Sequence, residues 1–454
     1  MAITKVTSEV LENNVTIAGN LDASSGTIKL DGNYPTGTGN VALGDTALDS
    51  IQSGGNYNAA VGRNSLTATT TGDNNTGMGN ATLATNSTGG SNTAVGGNAL
   101  ENATTADNNT AVGYASLNAN TTGAGNTAVG TYTLDANTTG TTNTALGYAA
   151  LSANTTAANN VAVGNSALLV NTTGYQNVAV GTGALNANTT AARNTAIGYN
   201  SMVANTTGAT NTALGDASLQ ANTTGSYNVG LGLGALAANT TADYNTAVGY
   251  LALVANTTGT RNTALGALSL DAATTATGNT GLGYGTLSAT TTGSYNIGIG
   301  EYAAVGNTTG DANTVMGRAA FYANTTGSRN IAIGSSSLNA NTEANDNVSI
   351  GYESMLVNTT GSNNTAVGKA TLRANTTAAN ITAVGFSALY ANTTGSANTA
   401  VGSNALAANT TGTNNIALGT AALAANTTGV HNLSLIHISE PTRRTPISYA
   451  VFCL

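Results

Sequence analysis

The chain has no tryptophan, one cysteine, two histidines and three prolines in 454 residues. Charged side chains make up 7% of it and aromatics 4%, both far below globular usage. Each shortage removes a class of function. So few histidines and cysteines offer no metal cluster, and no carboxylate pair recurs, so neither an enzyme nor a resident metal or cofactor is expected. The 11 Lys and Arg residues are spread thinly against 19 acidic ones, for a formal charge of −8. With no basic cluster to neutralise a run of phosphates, nucleic-acid binding is not expected. No apolar run is long enough to cross a bilayer, so no membrane insertion is expected. The amino terminus, Met1-Ala-Ile-Thr-Lys-Val-Thr-Ser-Glu-Val10, lacks the apolar core and cleavage site of a signal peptide. The expectation is a chain synthesised in the cytoplasm and released by a route other than secretion.

What the chain has instead is a period. Gly62, Gly79, Gly96, Gly113 and Gly130 begin a run of 22 glycines spaced 17 residues apart, ending at Gly419. Each follows Val, Ile, Leu or Met. A period kept without insertion over this length predicts a solenoid rather than a string of globular domains. Such low charge in a simple composition would suggest disorder or low complexity, but strictly phased apolar positions argue for order.

Counting each register glycine as coil position 1, the consensus is Gly-x-x-Ala-Leu-x-Ala-Asn-Thr-Thr-Gly-x-x-Asn-Thr-Ala-Val. Positions 15 to 17 alternate a Thr, Val or Ile, a small residue and an aliphatic one, the pattern of a short strand. Position 17 and the Leu column at position 5 are expected to point inward. Tyr-Ala-Ala-Leu-Ser-Ala-Asn (148–154) fits a second strand and a single helical turn equally well. Gly at position 1 and Asn-Thr-Thr-Gly at positions 8 to 11 read as corners. Stacking should align the Asn residues of positions 8 and 14 into amide ladders. The fold class expected is therefore all-β, a parallel β-solenoid or β-roll of 17-residue coils. So few large side chains per coil favour further burial between chains, so a homotrimer is expected.

The two ends depart from the repeat. Residues 1–43 contain strand-like Val15-Thr-Ile17 and Thr27-Ile-Lys-Leu30 and a turn at Asn33-Tyr-Pro35-Thr-Gly37, and are expected to form a cap or attachment segment. The first coil starts at Gly44, one residue out of phase, and residues 44–432 form the shaft. Residues 433–454 hold Cys453, two of the prolines and the Arg443-Arg444 pair, and Ile436 stands where a glycine is due. Leu433-Ser-Leu-Ile-His-Ile-Ser-Glu-Pro-Thr-Arg443 and Ile447-Ser-Tyr-Ala-Val-Phe-Cys-Leu454 back-translate to sequences resembling the two ends of a transposase-type sequencing adapter. This segment is expected to be adapter-derived, irregular and in little contact with the coils, with the natural continuation of the repeat lost.

Asn-Thr-Ala-Val-Gly-Tyr-x-Ala-Leu units joined by Asn-Thr-Thr-Gly resemble the repeats of bacteriophage tail fibres and related virion appendages, across residues 40–432. The Asn-Thr-Ala-Val-Gly element is also similar to a strand motif in the β-roll heads of trimeric bacterial adhesins, although those repeats are usually shorter. Met1-Ala-Ile-Thr-Lys-Val6 resembles the start of many phage fibre-like proteins. The resemblance implies a non-enzymatic structural shaft in the virion. Other tail proteins would bind its N-terminal segment, and a lost C-terminal receptor-binding or chaperone part would meet the host receptor.

Two rival functions are carried forward. Tyr114, Tyr148, Tyr199, Tyr250, Tyr284 and Tyr352, all at position 2, could stack on host glycans and make the shaft itself an adhesin, though a decorated outer wall is the simpler reading. Stacked Thr columns could serve an ice-binding solenoid, but extended residues at positions 9 and 10 would point to opposite sides. Other motifs yield to structural readings. Asn-Thr-Thr matches a glycosylation acceptor but reads as a turn, and Gly230-Leu-Gly232-Leu-Gly234 includes the repeat's own glycine. His431 reads as a surface residue, and Glu343, Asp346 and Glu353 as solvated substitutions rather than a hydrolytic carboxylate pair.

Overall fold

A computed structural model describes residues 37–435. These residues form a parallel β-solenoid with one three-residue strand per coil, 24 in all, from Val41–Leu43 to Leu433–Leu435. Each strand pairs in parallel with the one before and after it in the chain. The register advances by 17 residues at every step except the first, where Val41 faces Ala59 across an 18-residue coil. That extra residue is the phase slip visible at Gly44.

The coil of Gly147 to Val163 shows how the sequence makes its corners and walls. Gly147 has φ +134, and a Cβ there would meet the carbonyl carbon of Gly164 at 2.7 Å. Position 1 is thus closed to side chains twice, by backbone angle and by the next coil's main chain. The following wall, at positions 2 to 7, is neither the second strand nor the helical turn that the sequence allows. Ala149, Leu151 and, on a later corner, Asn159 take left-handed angles of φ +51, +56 and +61. The wall is a run of turns whose amides bond from coil to coil: Ala149 N–H donates back to Thr131 O at 3.0 Å, while Leu151 and Ala153 donate forward to Ala167 O and Leu169 O at 2.9 and 3.0 Å. Main-chain groups are therefore satisfied between coils as in a sheet, without strand angles.

The interior is narrow. Positions 4, 5, 8, 11, 14 and 16 point into it in this coil: Ala150, Leu151, Asn154, Ala157, Asn160 and Ala162 are all buried. The Leu column at position 5 is inside, as expected. Position 17 is not. Leu146, Leu214 and Leu265 are 48%, 48% and 46% exposed, and the strand pattern places position 16 inward with positions 15 and 17 outward. The reason is space. A Cβ added at Gly77, a position-16 residue, would meet Ser65 Oγ at 2.5 Å, Thr82 Oγ1 at 2.8 Å and Leu66 Cδ1 at 3.5 Å. The small residues of position 4 and the leucine already fill the cavity, so only Ala or Gly fits opposite them in nearly every coil. Where Phe321 replaces Leu in the column, the preceding coil carries Ala304, which returns the volume.

Both Asn columns form ladders. At position 8, Asn137 Nδ2 donates to Asn120 Oδ1 at 2.8 Å and to Gly140 O at 3.0 Å. At position 14, Asn143 N–H donates to Asn126 Oδ1 at 3.0 Å, and its Nδ2 to Ala157 O at 2.9 Å. The position-8 ladder breaks where Ala103 and Ala273 stand in for Asn. Asn86 Oδ1 and Asn256 Oδ1, one coil earlier, are left buried without a partner, as is Thr290 Oγ1 one coil after Ala273. Restoring the rung with Ala273→Asn supplies an amide for Asn256 and an acceptor for Thr290. It should raise stability by about 1 kcal/mol, because two orphaned groups regain partners. Calorimetry showing a lowered transition in this variant would contradict the ladder account.

Both edges of the shaft extend slightly past the expected boundaries. Val41–Leu43, placed by the sequence in the N-terminal segment, is the first strand. Leu433–Leu435, assigned to the irregular tail, pairs in register with Ile416–Leu418. Leu-Ser-Leu repeats the large-small-large pattern of Val-Ala-Val, so it fits strand positions 15 to 17 whatever its origin. The expected strands at 15–17 and 27–30, most of the turn at 33–37 and the remainder of the tail, 436–454, lie outside the described residues.

Candidate functional site

All six position-2 tyrosines are on the outer surface, 45–59% exposed. The corner after position 1 turns them out, away from the filled interior. They are not one array. Tyr114 and Tyr148 are joined by a ring the sequence reading missed, Tyr132 at position 3, which stands edge-on to both at centroid distances of 5.6 and 6.3 Å. Tyr302, also at position 3, packs edge-on against Tyr284 at 5.4 Å. Tyr352 lies under Lys369 Nζ, 5.9 Å from the ring centre. Tyr199 and Tyr250 have no ring partner among the described residues. A further pair at position 13, Tyr227 and Tyr244, stacks face to face at 5.0 Å with planes 2° apart. Its signal was available in the sequence: two tyrosines 17 residues apart must stack in any solenoid of that period.

The ion pairs fall within one stretch of the described shaft. Arg318 meets Glu301 at 3.4 Å. Arg329 grips Asp346 with two bonds of 2.7 and 2.9 Å, and Arg373 Nε meets Glu353 at 2.9 Å. The guanidinium of Arg329 holds the Asp346 carboxyl below its ordinary range, and Arg373, aided by Tyr352, does the same for Glu353. Glu343 is exposed at position 10, where nearly every other coil has Thr. The three carboxylates occupy coil positions 10, 13 and 3, and two of them are committed to arginines. Among the described residues no group of three or more His, Cys, Asp or Glu lies close enough to hold a metal ion.

The first two pairs are solvent-exposed and Arg373–Glu353 is only half-buried, so each is worth little. Both carboxylates are depressed, so their contribution is present above the unfolded carboxylate values and is lost as pH falls through the folded ones. Among the described residues the buried polar groups are Asn, Ser and Thr, which do not titrate. The melting temperature should accordingly be nearly flat from about pH 5 to 9 and decline only slightly below about pH 4. A steep acid transition near pH 5, measured by circular dichroism, would reveal a buried titrating group that this interior does not contain.

The threonine corner is also resolved. Position 9 is half-buried and its hydroxyl bonds the next coil's main chain, as Thr121 Oγ1 does to Thr138 O at 3.1 Å; position 10 is exposed. The Asn of every Asn-Thr-Thr but the last, Asn426, is buried with its amide in the ladder, which favours the structural reading of the motif. Gly230-Leu-Gly232-Leu-Gly234 is the end of a strand and the corner after it, followed by turns rather than a helix. His431 is an exposed left-handed residue at φ +61. No protein-family model matches the chain, and no curated protein matches it either.

Proposed function

We propose that the chain is the structural shaft of a virion appendage, a bacteriophage tail fibre or related projection. It acts as a homotrimer that spaces a receptor-binding or chaperone element from the particle. The observation that carries this reading is the uninterrupted parallel stack of 24 strands, which at the usual inter-strand spacing makes a rod of about 110 Å. Such a stack repeats one surface, fixes a distance and concentrates no chemistry at any level. The N-terminal segment is the joint to other tail proteins, and release is by lysis. Antibodies against residues 62–419 should decorate thin projections on particles released from lysed host cells. Labelling confined to bacterial surfaces, with particles bare, would contradict the reading.

A second reading, the glycan-binding adhesin, draws on the exposed Tyr114–Tyr132–Tyr148 cluster. A glycan array separates the two. The shaft reading expects no binding, whereas binding abolished by Tyr132→Ala and Tyr148→Ala would favour the adhesin.

A further inference from the structure

We infer that the outward face of the stacked strands, coil positions 15 and 17, is the surface through which copies of this chain pack side by side in parallel. The inference rests on the trimeric-shaft reading and specifies which wall the copies share.

The face has the make-up of an interface core. Position 17 is Val, Leu, Ile or Met in every strand from Ala59–Val61 onward, and all of these side chains point away from their own chain's interior. No strand carries a charged residue at either position. The flanking columns do: positions 2 and 13 hold Arg63, Lys369, Arg193 and Asp346, together with most of the tyrosines. An uncharged apolar centre with a polar, tyrosine-bearing rim is the usual anatomy of a protein interface. The hydroxyls point the same way. None of the fourteen threonines at position 15 bonds within the chain through its hydroxyl, whereas position-9 threonines such as Thr138 bond the next coil's carbonyl. Position 15 keeps its donors for something outside.

Size and period select the occupant. Three residues wide and 24 strands long, the face measures about 10 by 110 Å, or about 1,100 Å². That exceeds the roughly 800 Å² each partner gives to a standard interface, and the few hundred that monomers leave bare. A partner must be uncharged over the same length and must match the rise of the coils to keep its side chains in step. A second copy, running parallel, meets both demands without further design. Three such faces turned to one axis close the assembly and leave no strip exposed.

Single cysteines test this in the full chain with Cys453 replaced by serine. Val180→Cys lies on the face; Thr190→Cys lies on the exposed position-10 column. A short bifunctional maleimide should link Val180→Cys chains at least about tenfold more than Thr190→Cys chains, because thiols within one assembly meet at high effective concentration. Sedimentation of the unlinked variants reports oligomeric state, and Val248→Cys substitutes if Val180→Cys does not fold. Trimers that link only through Thr190→Cys would overturn the face and leave the trimer standing. Monomers in every variant would overturn both. A monomer whose Val180→Cys thiol labels freely and which shapes growing ice crystals would give the face to ice.

Discussion

Replacing Gly198 with alanine should destabilise the shaft by more than about 3 kcal/mol, a loss confined to few single substitutions. Gly198 sits at φ +139, where L side chains rarely go. A Cβ would also meet the carbonyl carbon of Gly215 at 2.6 Å and Asp216 N at 3.1 Å. Neither contact is with a flexible side chain that could swing away. Relief requires the next coil to move, and that coil's strand bonds and Asn rungs move with it. Backbone strain of about 1–3 kcal/mol adds to the lost stacking. Denaturant titration followed by circular dichroism reads the effect directly. An unchanged midpoint would mean that the coils are not stacked at this spacing.

The second large effect separates shape from volume. Leu168 is fully buried at φ +52, and position 5 holds Leu, Met, Ala or Phe but never Val, Ile or Thr. A β-branched side chain is a true outlier at positive φ, because its second branch meets the main chain. Leu168→Ile keeps the volume and should still cost about 2–3 kcal/mol, against less than about 1 kcal/mol for Leu168→Met. Met202 and Met355 already occupy the same column fully buried. On the outer face, Val163→Ile should be close to neutral. Equal losses for the Ile and Met variants would show that packing, not backbone angle, governs the column.

These two positions mark what could be read from the sequence. The glycine corner, the period, the Leu column and both Asn ladders follow from spacing alone, because stacked coils must place equivalent residues over one another. The direction of position 17 did not follow. Thr-Ala-Val states that one side of the strand is small and the other large, and burying the large side is the usual outcome. Here position 4, Leu at position 5 and two amide columns already fill the interior, so the alanine faces in. The position-4 and position-5 part of that competition comes from residues 5 to 12 places away in the chain and is invisible in a local pattern. The left-handed wall was hidden for another reason. Its angles belong in most coils to residues such as Ala149 and Leu151, which ordinarily avoid positive φ. Only coil-to-coil hydrogen bonding holds them there. Its traces in the sequence were the absence of β-branched residues from position 5 and the Asn and Gly residues scattered through position 3, such as Asn200 at φ +50 and Gly183 at φ +70.

The tyrosines show the same division. Their exposure followed from variability at position 2, but the Tyr114–Tyr132–Tyr148 cluster needed the corner geometry that brings positions 2 and 3 of successive coils together. The ladder gaps at Ala103 and Ala273 could be seen in the sequence, whereas the orphaned carbonyls of Asn86 and Asn256 could not.

Sedimentation of the purified full chain, paired with electron microscopy of the same sample, tests the central claim most directly. The account predicts a single species of three times the 44.4 kDa chain mass, seen as an unbranched rod of about 110 Å for the stacked coils. A stable, soluble monomer of one chain mass, or a compact particle with no rod, would contradict it.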